Sequence, residues 1–245
     1  MKNELHITTA FDRDLETIQA MIARMGGLVE AAILDAARAL ENRDEELAEA
    51  VRQGDKAIDM LEDEINIEAA RLIALRAPTA ADLRTVLTAM KIGAALERCG
   101  DYAKNLAKRS DLLAGMPAID GAALAIRRMA KAVQLQLKNV LDAYARRDAE
   151  LAEQVRQGDL DIDQMYNALF REFLTHMMED PRNISACMHL HFIVKNIERV
   201  GDHATGIAEQ VIYLVTGTLP TEDRPKADNT AVMSGQKGNE RHGRD

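Results

Sequence analysis

The sequence predicts an all-α fold of two tandem, pseudo-symmetric three-helix bundles made from six long helices. Three observations predict it. Apolar residues recur at intervals of three and four along most of the chain, the period of an amphipathic helix, and no strand-like run alternates with period two. Hydrophobic residues make up 47% of the 245, yet aromatics are 3% and Trp is absent, so burial falls to Leu, Ile, Val, Ala and Met. That palette suits helix–helix packing and argues against a β-sandwich. The chain also repeats itself. Asp44–Leu61 (DEELAEAVRQGDKAIDML) and Asp148–Met165 (DAELAEQVRQGDLDIDQM) are identical at twelve of eighteen positions, and Glu97–Ala103 (ERCGDYA) matches Glu198–Ala204 (ERVGDHA) at five of seven.

Prolines 78, 117, 181, 220 and 225 punctuate the helices. Helix one, 8–41, shows Ile18, Ile22, Met25, Val29 and Ile33 on one stripe. Helix two, 44–76, carries the first copy of the repeated segment and stops ahead of Pro78. Helix three, 80–113, shows Leu83, Val86, Leu87, Met90 and Ala94 at helical spacing. Helix four, 119–147, begins after Pro117. Helix five, 149–179, carries the second copy and stops ahead of Pro181. Helix six, 183–216, shows Ile193, Ile197, Val200, Ile207 and Val211. Each repeat is three helices, up, down and up, so the domains are 1–114 and 115–217. Residues 218–245, with two prolines, three glycines and little apolar spacing, read as a disordered tail.

The net charge is −9 and the pI about 5.3, a poor match for a protein that grips phosphate backbones, so no nucleic-acid partner is expected. Cys99 and Cys187 stand alone without CxxC spacing, which disfavours a disulfide scaffold or a Cys-held zinc and fits a reducing cytoplasm. The charged segment Met1–Asp14 is unlike a signal peptide, and no uninterrupted apolar stretch of about 18 residues is present, so no direct membrane span is expected.

The chemistry concentrates in carboxylates. Glu97 and Asp101 are four residues apart and share a helix face; Glu198 and Asp202 repeat them. Arg98 and Arg199, adjacent in sequence, point elsewhere on their helices. Folding helix three back on helix two about Pro78 puts Glu97 level with Asp59, each 19 residues from the proline, and Asp101 level with Asp55, each 23 away. About Pro181, Glu198 and Asp163 lie 17 and 18 residues away, and Asp202 and Asp159 lie 21 and 22 away. Four acids at one level repel unless protonated or bound to cations. An all-oxygen set suits a hard cation such as iron(III), manganese, magnesium or calcium. Zinc fits less well, because His203 faces Tyr102 in the repeat alignment and His189 and His191 have no counterparts, so these histidines read as packing or surface residues. The bland alternative is a solvated acidic stripe. Gly100 and Gly201, one residue before each Asp, cost helix stability and imply close helix approach or room for a cluster, and Gly54 and Gly158 raise the same question on the opposite helix.

No GxxxxGK loop, GxGxxG turn or GxSxG elbow occurs, and no Glu is followed three residues later by His as in ferritin-like di-iron proteins. A binding protein is therefore expected rather than an enzyme. The alternative is a metal-dependent phosphoester hydrolase in which carboxylate-bridged metals activate water.

The doubled Glu-Arg-x-Gly-Asp segments, Glu97–Asp101 and Glu198–Asp202, with the Gln-Gly-Asp-x-x-Ile-Asp segments at Gln53–Asp59 and Gln157–Asp163, resemble the PhoU family of phosphate-specific transport system accessory proteins. The resemblance covers roughly 5–216. It implies a cytoplasmic negative regulator of phosphate uptake and the phosphate-starvation response, peripheral to inner-membrane complexes. The implied partners are the ATPase subunit of a phosphate ABC transporter and a membrane sensor histidine kinase, and the implied oligomer is a homodimer. It also implies multinuclear metal clusters on the repeated acids, with iron first and manganese, magnesium or zinc as alternatives. The ligand positions carried over are Asp55, Asp59, Glu97 and Asp101 in one bundle, and Asp159, Asp163, Glu198 and Asp202 in the other. The family pattern continues to an Asn four residues past the Asp. Asn105 fits it, whereas the second repeat has Gly206.

Overall fold

The computed structural model describes residues 2–221, with side chains from residue 10 onward. All described regular elements are helical. Helix α1 spans Lys2–Asn42, starting before the expected residue 8; α2 spans Glu45–Arg76 and α3 Ala80–Ala114. The second repeat comprises α4 (Ala122–Arg146), α5 (Ala149–Gln157), α6 (Asp159–Glu179), a 3-10 turn at Pro181–Asn183, and α7 (Ile184–Thr216). The six expected helices are present, but the fifth is interrupted at Gly158 into α5 and α6. The expected tail leaves α7 at Gly217, and its part beyond residue 221 lies outside the described residues.

The two repeats start their central hairpins identically. Arg43 and Arg147 turn the chain with φ of 52° and 53°, in the left-handed region. The next residue is an N-cap: Asp44 accepts from the Leu47 amide at 2.9 Å, and Asp148 accepts from the amides of Glu150 and Leu151. At the far end of α2, Ala77 takes a left-handed φ of 44° and its amide reaches the Ile73 carbonyl. Pro78 then excludes further helix.

The apolar stripe of α1, including Ile18, Ile22, Met25, Val29 and Ile33, is fully buried, and α1 packs on α2, α3 and α4. Ala10–Asn42 of this helix is long and apolar enough by length and composition to cross a membrane, a test that a packed core helix also passes. Helices α3 and α7 also pack on one another, so one apolar core runs through both repeats. The α3–α7 pairing is antiparallel: Tyr102 meets His203 near its middle, with ring centroids 5.7 Å apart, while Arg109 meets His189 and Arg84 meets Tyr213 toward its ends. Tyr102 and His203 occupy equivalent positions, so the pseudo-twofold passes between them.

Candidate functional site

In the first repeat the α2–α3 hairpin places Asp55 beside Asp101, as the count from Pro78 requires. Asp55 is buried, Asp59 exposed, and Glu97 and Asp101 half-buried. Lys104, one turn beyond Asp101, ties the two helices together. Its Nζ lies 2.6 Å from Asp101 Oδ1 and also donates to Asp55 Oδ2. Burial alone would lower the pKa of this ammonium, but the hydrogen bonds to Asp101 and Asp55 overcome that and raise it. Arg98 does not point away as expected. It curls back to within 3.5 Å of Glu97 and 3.6 Å of Asp101, loosely and in solvent.

The electrostatics show these acids acting on one another. Burial, and then the charge of Asp101, pushes the Glu97 carboxyl above its ordinary range, with Asp59 and Glu62 adding to the effect. Partial desolvation of its carboxyl, and then Asp55, raises Asp59 although the residue as a whole is exposed, with further pressure from Asp101 and Asp63 against the pull of Lys104. Glu62 and Asp63 thus belong to the acidic group, which the sequence reading had limited to four. Asp55 Oδ1 is buried and makes no hydrogen bond within the protein.

The second repeat reaches a similar backbone frame with different chemistry. Asp159, Asp163 and Glu198 are all buried, and Asp202 is half-buried. Thr205 replaces Lys104. Gln136 of α4, where the first repeat has Ala32, enters between α6 and α7. Its Nε2 donates to Thr205 Oγ1 at 3.4 Å, Asp159 Oδ1 at 3.5 Å and the Val155 carbonyl at 3.4 Å. The last contact falls where α5 gives way to α6, and a side chain inserted against a helix backbone is a known cause of such breaks. The cation comes from another place too: Lys195, where the first repeat has Ala94, sits 3.0 Å from Glu198 Oε1 and 4.8 Å from the Tyr166 ring centre.

The glycines divide into two kinds. A Cβ on Gly100 would stand 3.0 Å and 3.2 Å from atoms of Ile58, and one on Gly201 would stand 3.2 Å from Gln136 Oε1 and 3.4 Å from Ile162. These two permit close helix approach, and Asp55 Oδ1 and Asp159 Oδ1 line the same gaps at 3.6 Å and 3.5 Å. A Cβ on Gly54 would meet nothing, and one on Gly158 only ordinary contacts at 3.5 Å, so neither serves close packing. The histidines lie in ring contacts: His203 with Tyr102, and His191 with Tyr166, Phe170 and Phe192.

The donor set is all-oxygen, and in the first repeat it includes a buried carboxylate oxygen with no hydrogen bond. That chemistry fits a hard cation. The side chains are nonetheless arranged around lysines. Among the described residues, no three His, Cys, Asp or Glu side chains converge as a ready-made metal site. A cation held by Asp55 and Asp101 would have to displace the Lys104 ammonium from them.

Two pseudo-symmetric three-helix bundles, each with a carboxylate group across its hairpin, define a class of helical accessory proteins with duplicated acidic motifs. The comparisons name it. The PhoU domain matches twice, over residues 22–110 and 126–211. A phosphate-specific transport system accessory protein PhoU homolog from Caulobacter vibrioides is 47% identical over 223 residues, covering 91% of this chain and 97% of that protein. The crystal structure of PhoU from Pseudomonas aeruginosa superposes with a TM-score of 0.81 at 41% identity, covering 85% of this chain and all of that one. The phosphate transport system regulatory protein PhoU from Streptococcus pneumoniae superposes with a TM-score of 0.79 at 31% identity, covering 86% of this chain and 99% of that one. This chain belongs to the PhoU family, and its role lies in the regulation of phosphate transport.

Proposed function

We propose that this chain is a cytoplasmic adaptor that restrains phosphate uptake and the phosphate-starvation response. It acts by binding, as a homodimer, to the ATPase subunit of a phosphate ABC transporter and to a membrane sensor histidine kinase. Each bundle carries a multinuclear cation cluster, iron in the first instance, with manganese, magnesium or zinc as the other candidates. Asp55, Asp59, Glu97 and Asp101 would hold one cluster; Asp159, Asp163, Glu198 and Asp202 would hold the other.

The observation that carries this reading is the duplicated acidic group on both hairpins of a chain whose relatives are named as phosphate-transport accessory proteins. Asp59 and Glu97 are raised by desolvation and then by neighbouring carboxylates, which supports the cation part, because a cation relieves that repulsion. The acidic net charge of −9 suits docking on basic patches of an ATPase or kinase domain.

The test combines metal content with regulation. Tag-free protein purified without chelator is measured by inductively coupled plasma mass spectrometry beside the Glu97→Ala, Asp101→Ala, Glu198→Ala, Asp202→Ala quadruple variant. Several metal ions per chain, lost in the variant, are expected. In cells, the Glu97→Ala, Asp101→Ala pair is expected to switch on phosphate-scavenging genes in high phosphate. Metal-free protein in both samples would remove the cluster part. Normal repression by a normally abundant variant would remove the regulatory role of the acids.

A further inference from the structure

The face where α3 meets α7 is chemically lopsided. On one side of the pseudo-twofold lies an open cleft of about 360 Å³, lined by Asn105, Lys108, Arg109 and Leu112 of α3 and Asn196 of α7. None of the five is acidic, in a chain of net charge −9. Among the described residues, neither Lys108 nor Arg109 has a carboxylate within ion-pair reach.

Arg109 is held in place by neutral groups. Its guanidinium lies 4.4 Å from the Phe192 ring centre, and its Nη1 is 3.2 Å from His189 Nδ1. A guanidinium only donates, so the histidine accepts at Nδ1 and carries its proton on Nε2. The stack and the hydrogen bond fix the plane of the guanidinium without neutralising its charge. Pre-positioned, unneutralised Arg with a Lys and two amides is the donor chemistry that recognises a tetrahedral oxyanion.

The pseudo-symmetric position shows what an ordinary version of this surface looks like. There Lys108 becomes Glu209, Arg109 becomes Gln210, Asn105 becomes Gly206, and the supporting Phe192 and His189 become Lys91 and Thr88. Glu209 faces Arg156 at 3.8 Å. Four of these changes remove a charge, a donor or a hydrogen-bond support, and the fifth trades the stacking ring for a lysine, so the pre-positioned basic end is not a by-product of the repeat.

We propose that the Asn105–Lys108–Arg109–Asn196 cleft binds a small tetrahedral oxyanion, with inorganic phosphate as its ligand. The site uses none of the clustered carboxylates; only Asn105, four residues past Asp101, continues that motif.

The test is calorimetric titration of inorganic phosphate into the full chain in a chloride-containing HEPES buffer. Saturable binding, competed by sulfate, is expected. Arg109→Gln and Lys108→Glu import the pseudo-symmetric residues, and each is expected to weaken binding by about tenfold or more, the loss of one charge-assisted contact. Lys108 is exposed, so its variant reports on the site even if Arg109→Gln perturbs folding; unchanged melting temperatures check both. The proposal is overturned by the absence of saturable binding to the unmodified chain. It is equally overturned by binding that survives in the double variant, or that is lost in Asp101→Ala instead.

Discussion

The two acidic groups share a backbone and differ in what neutralises them. In the first, Lys104 reaches across from α3 and joins Asp55 to Asp101. In the second, the equivalent residue is Thr205; the space is taken by Gln136 from the third helix of the bundle, and the lysine, Lys195, approaches Glu198 from the other side. The first group is therefore a salt-bridged, half-open cluster bordered by two extra acids, Glu62 and Asp63. In the second their counterparts are Tyr166 and Asn167, and three of the four acids are buried. Duplication preserved the acids and the close-packing glycines while the counter-charges diverged. Two groups of one origin thus differ in what any cation would have to displace.

The largest expected effect comes from removing Lys104, whose position in the second group is held by the uncharged Thr205. Lys104→Met leaves Asp55, whose side chain is 6% exposed, without its ammonium partner. The expected loss is about 2–3 kcal/mol in urea unfolding, at or below the lower limit of about 3 kcal/mol for breaking a fully buried pair, because Lys104 itself is partly exposed. The matching change, Thr205→Val, removes only a long hydrogen bond and should cost about 1 kcal/mol or less. Equal losses at the two positions would break the comparison.

Next in size are the glycines. Gly100→Ala pushes a methyl against Ile58 on a packed helix and should destabilise by about 1–2 kcal/mol despite the gain in helix propensity. Gly201→Ala presses chiefly on the mobile amide end of Gln136 and should be close to neutral. Denaturation midpoints of the two variants give the sign directly. Gly54→Ala meets open space in the middle of α2 and should stabilise by up to about 1 kcal/mol, read as a rise in melting temperature.

The smallest effect concerns pH in the metal-free protein. Glu97 and Asp59 have folded pKa values raised above their ordinary 4.5 and 3.8. The folded state therefore holds their protons more tightly than the unfolded state. Their contribution is fully favourable below those ordinary values and is lost as pH rises through the raised ones. Asp59→Asn combined with Glu97→Gln should flatten that part of the stability–pH curve. An unchanged curve would mean that the pressure between these acids is relieved by solvent.

Much of this architecture was legible in residue order. The periodic stripes and prolines located the six helices, and counting from Pro78 paired Asp55 with Asp101 correctly, because helices of equal rise return the same height after the same number of residues. Lys104 left a readable signal, standing three residues after Asp101 on the same face and replaced by Thr205 in the repeat. That signal lies in what the repeats change and not in what they share. Gln136 left no such signal. The hairpin count involves two helices, whereas Gln136 arrives from a third whose rotation about its own axis is set by packing. The break at Gly158 has the same origin: Gly54, in an equivalent sequence, lies in an unbroken helix beside Ala32.

Sequence by itself determined the helical class, the duplication and the levelling of Asp55 with Asp101, since these follow from local periodicity and a constant rise per residue. Tertiary structure alone decided which cation answers which carboxylate, which glycine lies in a tight gap, and which end of the α3–α7 seam is basic. Those outcomes depend on how whole helices rotate and approach one another, and that is settled by the summed packing of a core shared between both repeats.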